Sequence, residues 1–271
     1  MLLQIHWNVH PEVLPGILPV RWYGLLFMSG FVFGYYLLER IFKAEGKPIT
    51  RLDSFSMYVG IGTILGARLG HCLFYEPAYY LANPIDILKI WEGGLASHGA
   101  VIGILLANWL FSQKFKDINF LWVTDRLVIV VALAGCLIRL GNLMNSEIVG
   151  APTEVPWAFI FDRLQDNVPR HPSQLYEAFF YLLSFFVLYR AYWIQKSGNK
   201  PGFLLGLFMV MIFGFRFFIE FIKDVQVDFE NYLYLNMGQL LSIPVVLIGL
   251  WLMWRSARLQ FQSPSKSHAS N

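Results

Sequence analysis

The sequence predicts an all-α, polytopic integral membrane protein of about seven transmembrane helices, and three observations predict it. Of its 271 residues, 56% are hydrophobic and 14% charged, where a soluble domain carries about 45–50% and about 25%. Apolar stretches close to the roughly 20 residues needed to cross a hydrocarbon core recur along the whole chain. They are too long and too evenly apolar for barrel strands, which leaves the helix as the form that satisfies each backbone N–H and C=O within lipid.

Taken in order, the first span covers 21–41. The residues before it contain no Lys or Arg and no apolar segment ahead of a small-residue cleavage site, so it reads as a retained helix rather than a signal peptide. The second, 55–75, and the fourth, 120–143, are interrupted by polar residues, Arg68 and His71 in one and Asp125, Arg126 and Arg139 in the other. Asp125 and Arg126 read as a local pair. The third, 95–113, follows a glycine-rich turn. The fifth, 174–194, opens behind Pro172, which suits a first helical turn, and Glu177 places negative charge near that helix N-terminus. The sixth and seventh cover 202–222 and 237–255.

Orientation follows from the basic residues. Arg40, Lys43, Lys47 and Arg51 follow the first span, Lys114 and Lys116 the third, Arg190, Lys196 and Lys200 the fifth, and Arg255, Arg258 and Lys266 the last. The other side holds Lys89, Arg163, Arg170 and Lys223, with Arg21 at a span edge. The positive-inside rule puts the N-terminus outside and the C-terminus in the cytoplasm. No linker, charge block or repeat divides the chain, so residues 1–271 read as one domain. It carries an outer-face N-terminal arm (1–19) lying along the interface, a long outer loop (144–172) and a polar, Ser-rich cytoplasmic tail (260–271). Cys72 and Cys136 fall within spans and read as small apolar residues with no disulfide between them. Leu133-Ala-Gly-Cys136 matches a lipobox only by coincidence, being mid-chain.

Three arginines inside spans, Arg68, Arg139 and Arg216, are the strongest functional signal, because an intramembrane guanidinium needs a partner or a water-filled cavity. Arg139, Asn142 and Asn145 share one helix face at i, i+3 spacing and precede Glu147 and Gly150. Such a row of fixed donors suits a phosphate headgroup. It also suits an interhelical polar knot, but one Arg, two Asn and one Glu within nine residues at a span end favour the ligand. Arg216 and Glu220, one turn apart, neutralise each other, and a carboxylate that holds an arginine leaves its other N–H groups for a ligand. His98 lies where the third span begins, behind Glu92-Gly-Gly, and either packs helices or exchanges protons near neutrality. No zinc spacing, P-loop, dinucleotide fingerprint or Gly-x-Ser-x-Gly elbow occurs, which argues against ATP, NAD and a serine nucleophile.

These motifs together resemble the prolipoprotein diacylglyceryl transferase family. The matching segments are Arg21-Trp-Tyr23-Gly, Gly66-Ala-Arg68-Leu-Gly70, Trp91-Glu-Gly-Gly through His98-Gly, Asp125, and Arg139-Leu-Gly-Asn142 with Asn145 and Glu147. They continue with Arg170-His171-Pro-Ser-Gln-Leu-Tyr176-Glu177, Phe215-Arg216 with Glu220, and Met237-Gly-Gln. Departures from the family pattern are Ile138 and Ala100 where it has glycine, and Ile212 where it often has tyrosine.

The resemblance implies transfer of the diacylglyceryl group of phosphatidylglycerol to the lipobox cysteine of preprolipoproteins in the bacterial inner membrane. That reaction forms a thioether, releases glycerol phosphate, and uses no cofactor or metal. Its implied partners are phosphatidylglycerol, lipobox-bearing signal peptides and membrane lipid, with no nucleic acid. His98, Arg139 and Arg216 would be catalytic, and Tyr23, Arg68, Asn142, Asn145, Glu147, Gly150 and Glu220 would bind substrate. The residues alone leave open an anion or phospholipid transporter, which would also want intramembrane arginines, and a scaffold whose Arg/Glu pairs act as glue.

Overall fold

The computed structural model describes residues 5–90, 93–223 and 235–262. Trp91, Glu92 and most of the tail (263–271) lie outside the described residues. All seven predicted stretches are helical: α1 (Trp22–Ala44), α2 (Ile49–Phe74), α4 (Ser97–Lys114), α5 (Phe120–Asn145), α6 (Ser173–Trp193), α7 (Phe203–Ile219) and α8 (Met237–Gln262). A short α3 (Pro77–Ala82) lies between α2 and α4.

Among the described residues, five helices are long and apolar enough to cross a membrane, namely α1, α2, α5, α7 with its following turn, and α8. The second and fourth predicted spans, the ones broken by charge, are among those five. The third and fifth are the ones that fall short. In α4 the apolar run is diluted by His98, Asn108, Gln113 and Lys114, and in α6 by Gln174, Glu177, Arg190 and four tyrosines.

The surface fits lipid. Leu25, Met28, Val32 and Phe33 on α1, Ile61, Ile64 and Leu65 on α2, and Leu247, Ile248 and Trp251 on α8 are exposed, while Asn108, Thr124, Ser184, Ser242 and Ser256 are buried. Hydrocarbon removes the usual penalty on exposed leucine; of the buried groups, the Asn108 amide donates to Thr124, and Thr124, Ser184 and Ser242 donate to carbonyls of their own helices.

The helical prediction misses small strands. β1 (Ile5–Trp7) pairs in parallel with β4 (Phe159–Phe161), which pairs antiparallel with β5 (Pro169–Arg170); β2 (Glu12–Leu14) pairs antiparallel with β3 (Leu18–Arg21). The described part of the N-terminal arm is therefore built into the loop after α5 rather than simply laid along an interface. Trp7 stacks on Phe159 at 5.6 Å and donates its indole N–H to the Leu143 carbonyl at 3.0 Å. A small core of Leu143, Phe159 and Phe161 lies beneath it.

The fold groups into two compact units, residues 37–124 and residues 1–36 with 125–271. In the first, α2 and α4 meet along a glycine seam. A Cβ on Gly66 would stand 2.8 Å from the Gly103 Cα and closer still to the Gly99 carbonyl oxygen, and one on Gly70 would stand 2.7 Å from the Gly99 Cα. Backbones approach this closely only where no side chain intervenes.

In the second unit, Phe180 of α6 stacks on Phe215 of α7 at 4.1 Å. Asp125 does more here than pair with Arg126: its carboxylate accepts the Gly202 N–H at 2.7 Å and the Leu205 N–H at 2.8 Å. It thus satisfies donors that the start of α7 leaves open, from a different helix.

Candidate active site

The C-terminal end of α5 carries the main cluster. Arg139, Asn142 and Asn145 lie on one face as their spacing predicts. Helix geometry stops at Asn145, and Ser146 and Ile148 adopt left-handed φ of 54° and 57°, which turns Glu147 back over the helix end. Glu147 Oε1 accepts the Asn142 amide N–H at 3.0 Å and the Asn145 amide N–H at 3.1 Å, while Asn142 Oδ1 accepts from the Arg139 guanidinium at 3.3 Å. The start of α6 fixes the turn: Gln174 donates to the Glu147 carbonyl at 2.7 Å and Ser173 to the Ile148 carbonyl at 2.8 Å. Left-handed conformations at non-glycine residues persist where the surroundings over-determine them, as two side chains do here. Tyr23 packs its ring on Gly141, where a Cβ would lie 2.8 Å from the Tyr23 Cδ2.

Two charged residues of this cluster escape the sequence reading. Glu177, taken there as helix-terminal charge, is 3% exposed and brings Oε2 to 3.0 Å from Arg139 Nε. The contact is an ion pair without a well-directed N–H···O bond. Lys223, counted there only toward topology, is 4% exposed and lies 2.9 Å from Glu177 Oε1. Arg139 is also hydrogen-bonded to Tyr181, and it keeps 16% of its side chain exposed.

Arg216, 44% exposed, pairs with Glu220 at 3.4 Å as its spacing predicts. Gly238 makes room for that carboxyl, since a Cβ there would lie 2.6 Å from Glu220 Cδ. Gly150 is buried and also serves close approach: its N–H donates to the His171 carbonyl at 2.9 Å, and a Cβ would lie 2.6 Å from His171 Cβ and 2.9 Å from the Ile222 carbonyl oxygen.

A polar groove of about 660 Å³ adjoins the cluster through Asn145 and Glu147, with Arg21, Arg163, His10 and Glu12 along its other walls. Arg163 donates to the Asn145 carbonyl at 3.0 Å. The strand register that sets Glu12 opposite Arg21 joins residues with no shared local pattern, so only the length and charge of the 144–172 loop hinted at this groove.

The unit of residues 37–124 holds Arg68 and His98. Arg68 is buried and donates to the carbonyls of Ile87 (2.9 Å), Asp86 (2.5 Å), Gly93 (2.6 Å) and Gly94 (3.3 Å), with its guanidinium 5.0 Å from the Tyr80 ring centroid. Its fork therefore clamps the loop ahead of α4. Asp86 in that loop is held below the usual carboxylate range by hydrogen bonds from Lys89 and Tyr79, and Tyr79 is pushed up in return. His98 is the second residue of α4 and is exposed, with its ring edge-on to Phe74 at 5.4 Å and tilted against Tyr75 at 5.7 Å. Among the described residues its ring nitrogens make no hydrogen bond.

His171 gives a pH prediction. Burial lowers its imidazole below the ordinary value, which is about 6.5. The folded state disfavours the charged ring, so this contribution to stability is complete above that value and is lost as pH falls through the folded one. Its backbone exchanges hydrogen bonds with Gly150 and Ala151, at 2.9 and 3.1 Å. Amide exchange at these positions, corrected for intrinsic rate, is expected to quicken below pH 6.5, and the dependence should vanish in His171→Asn.

Residues 12–255 match the model of the family described as prolipoprotein diacylglyceryl transferase. A protein of Tolumonas auensis named phosphatidylglycerol-prolipoprotein diacylglyceryl transferase is 51% identical over 256 residues, 94% of this chain and 98% of that one. Proteins of the same name from Chloroherpeton thalassium and Porphyromonas gingivalis are 47% and 46% identical, over 94% and 89% of this chain and 95% and 90% of theirs.

Proposed function

The chain belongs to the prolipoprotein diacylglyceryl transferase family, and we propose that it transfers the diacylglyceryl group of phosphatidylglycerol to the lipobox cysteine of a preprolipoprotein, acting as one catalytic domain. It is a multi-pass membrane enzyme. The reading extends to seven spans in the inner membrane, with the N-terminus outside and the C-terminus cytoplasmic. The observation that supports it most is Arg139, largely buried yet 16% exposed and held by Asn142 and Glu177, in a cluster whose Asn145 and Glu147 line a polar groove at the end of an apolar helix.

The reaction forms a bond from sulfur to the glyceryl carbon and breaks that carbon's bond to the phosphate oxygen, so the leaving group is glycerol phosphate. A free thiol has a pKa of about 8.5, and the thiolate is the nucleophile, so the proton must be taken up by a base. His98, exposed and with ring nitrogens unengaged among the described residues, takes or positions that proton.

As the C–O bond breaks, a phosphodiester becomes a monoester of greater negative charge. Arg139 and Arg216 stabilise that growing charge, acting where it develops. Asn142, Asn145, Glu147 and Tyr23 orient the headgroup, and Glu220 sets Arg216. Arg68 and Gly150 complete the proposed set of substrate-binding residues. The acyl chains stay in lipid.

Headgroup-labelled phosphatidylglycerol tests this reading. Release of labelled glycerol phosphate should require a peptide thiol and match it mole for mole. Counterflow of intact labelled lipid across vesicles, with no release, would instead make the protein a transporter.

A further inference from the structure

One lysine joins the two arginines assigned to phosphate. Lys223 Nζ lies 2.9 Å from Glu177 Oε1 and 3.4 Å from Glu220 Oε1. Glu177 Oε2 is 3.0 Å from Arg139 Nε, and Glu220 Oε1 is 3.4 Å from Arg216 Nε. Arg139, Glu177, Lys223, Glu220 and Arg216 thus form a continuous chain of alternating sign drawn from α5, α6, the turn after α7 and α7.

Neutralisation does not require the lysine, because each arginine already has its own carboxylate. Adding a third cation leaves the chain with one positive charge in excess, in a setting where an unbalanced charge is disfavoured. Lys223 is also not free to leave. Its backbone bridges to Gly150, and the neighbouring Ile222 carbonyl accepts the Ala151 N–H at 2.9 Å.

We infer that Glu177 and Lys223 are positioning residues for the transfer. They fix the two guanidinium groups relative to each other through shared carboxylates, and the excess charge of the chain is balanced by the phosphate group of the lipid. The inference rests on the reading of Arg139 and Arg216 as a phosphate clamp. Because each carboxylate is divided between two cations, neither arginine is fully neutralised before substrate arrives. Arginine is suited to the ends of the chain, where a planar fork can hold a carboxylate on one edge and phosphate on the other.

The test is steady-state kinetics of the purified full chain in detergent, with phosphatidylglycerol varied at saturating lipobox peptide. Lys223→Met is expected to lower kcat by about 10- to 100-fold, the scale of a misplaced catalytic group, with KM for the lipid little changed. Lys223→Arg, which keeps the charge and both carboxylate contacts, should restore most of the rate.

Should Lys223→Met not fold, the pair Glu177→Gln with Lys223→Met removes one charge of each sign and should fold, yet remain slow. Wild-type kcat in the folded fraction of either variant would overturn the inference and leave these residues a purely structural role. Arg139→Lys and Arg216→Lys separate the two levels. If they lose the rate while the Lys223 variants keep it, only the positioning inference fails; if they too keep it, the clamp itself is wrong.

Discussion

Arg139→Ala is expected to abolish transfer while leaving the protein inserted and folded. The substitution removes the guanidinium from Asn142 Oδ1 and from Glu177 Oε2. Loss of one preorganised group that stabilises developing negative charge lowers kcat on the order of 10²–10³-fold. Here the loss is compounded because the buried Glu177 carboxylate loses the cation beside Oε2 and keeps Lys223 beside Oε1. Structural damage is limited, since α5 keeps its apolar packing and Lys223 still compensates Glu177. Size-exclusion profile and thermal melt in detergent should stay near wild type while product formation disappears. Substantial activity in this variant would remove the phosphate clamp from the mechanism.

Gly66→Leu is expected to have the largest effect on folding. The new side chain would enter a seam where the nearest atoms are the Gly99 carbonyl oxygen and the Gly103 backbone. Backbone cannot rotate aside as a side chain can, so α2 and α4 must separate. Overpacking costs about 1–3 kcal/mol where side chains can adjust, and about 3 kcal/mol or more is expected at this seam. Gly60 on the same helix is the control, because a Cβ there meets nothing within 4 Å. Gly60→Ala should melt at or above the wild-type temperature, and Gly66→Leu should yield little monodisperse protein. Equal melting of the two would mean that the helices do not meet as described.

Features with a local period were legible in the sequence. The apolar runs predicted every long helix, because lipid forces each spanning backbone to satisfy itself. The i, i+3 spacing of Arg139, Asn142 and Asn145 predicted their shared face, and Glu147 does face the amides. What stayed hidden depends on partners distant in sequence. The pairing of β1 with β4 sets Ile5 opposite Phe159, and three-residue strands among prolines carry too few positions to reveal alternation.

Glu177 and Lys223 each had an adequate local explanation, as helix-terminal charge and as loop charge. Their burial against Arg139 and Glu220 is decided by how α5, α6 and α7 converge. The clamp made by Arg68 was also unreadable, because its acceptors are backbone carbonyls, which every residue possesses and no sequence distinguishes.

The central claim is that a carbon–sulfur bond is made at the expense of a phosphate ester. Its most direct measurement incubates the purified protein in detergent with phosphatidylglycerol and a lipobox peptide, then reads the peptide by mass spectrometry. The predicted result is a diacylglyceryl adduct on the cysteine that is absent when the cysteine is replaced by serine. Unmodified peptide after incubation with protein shown to be folded would contradict the account.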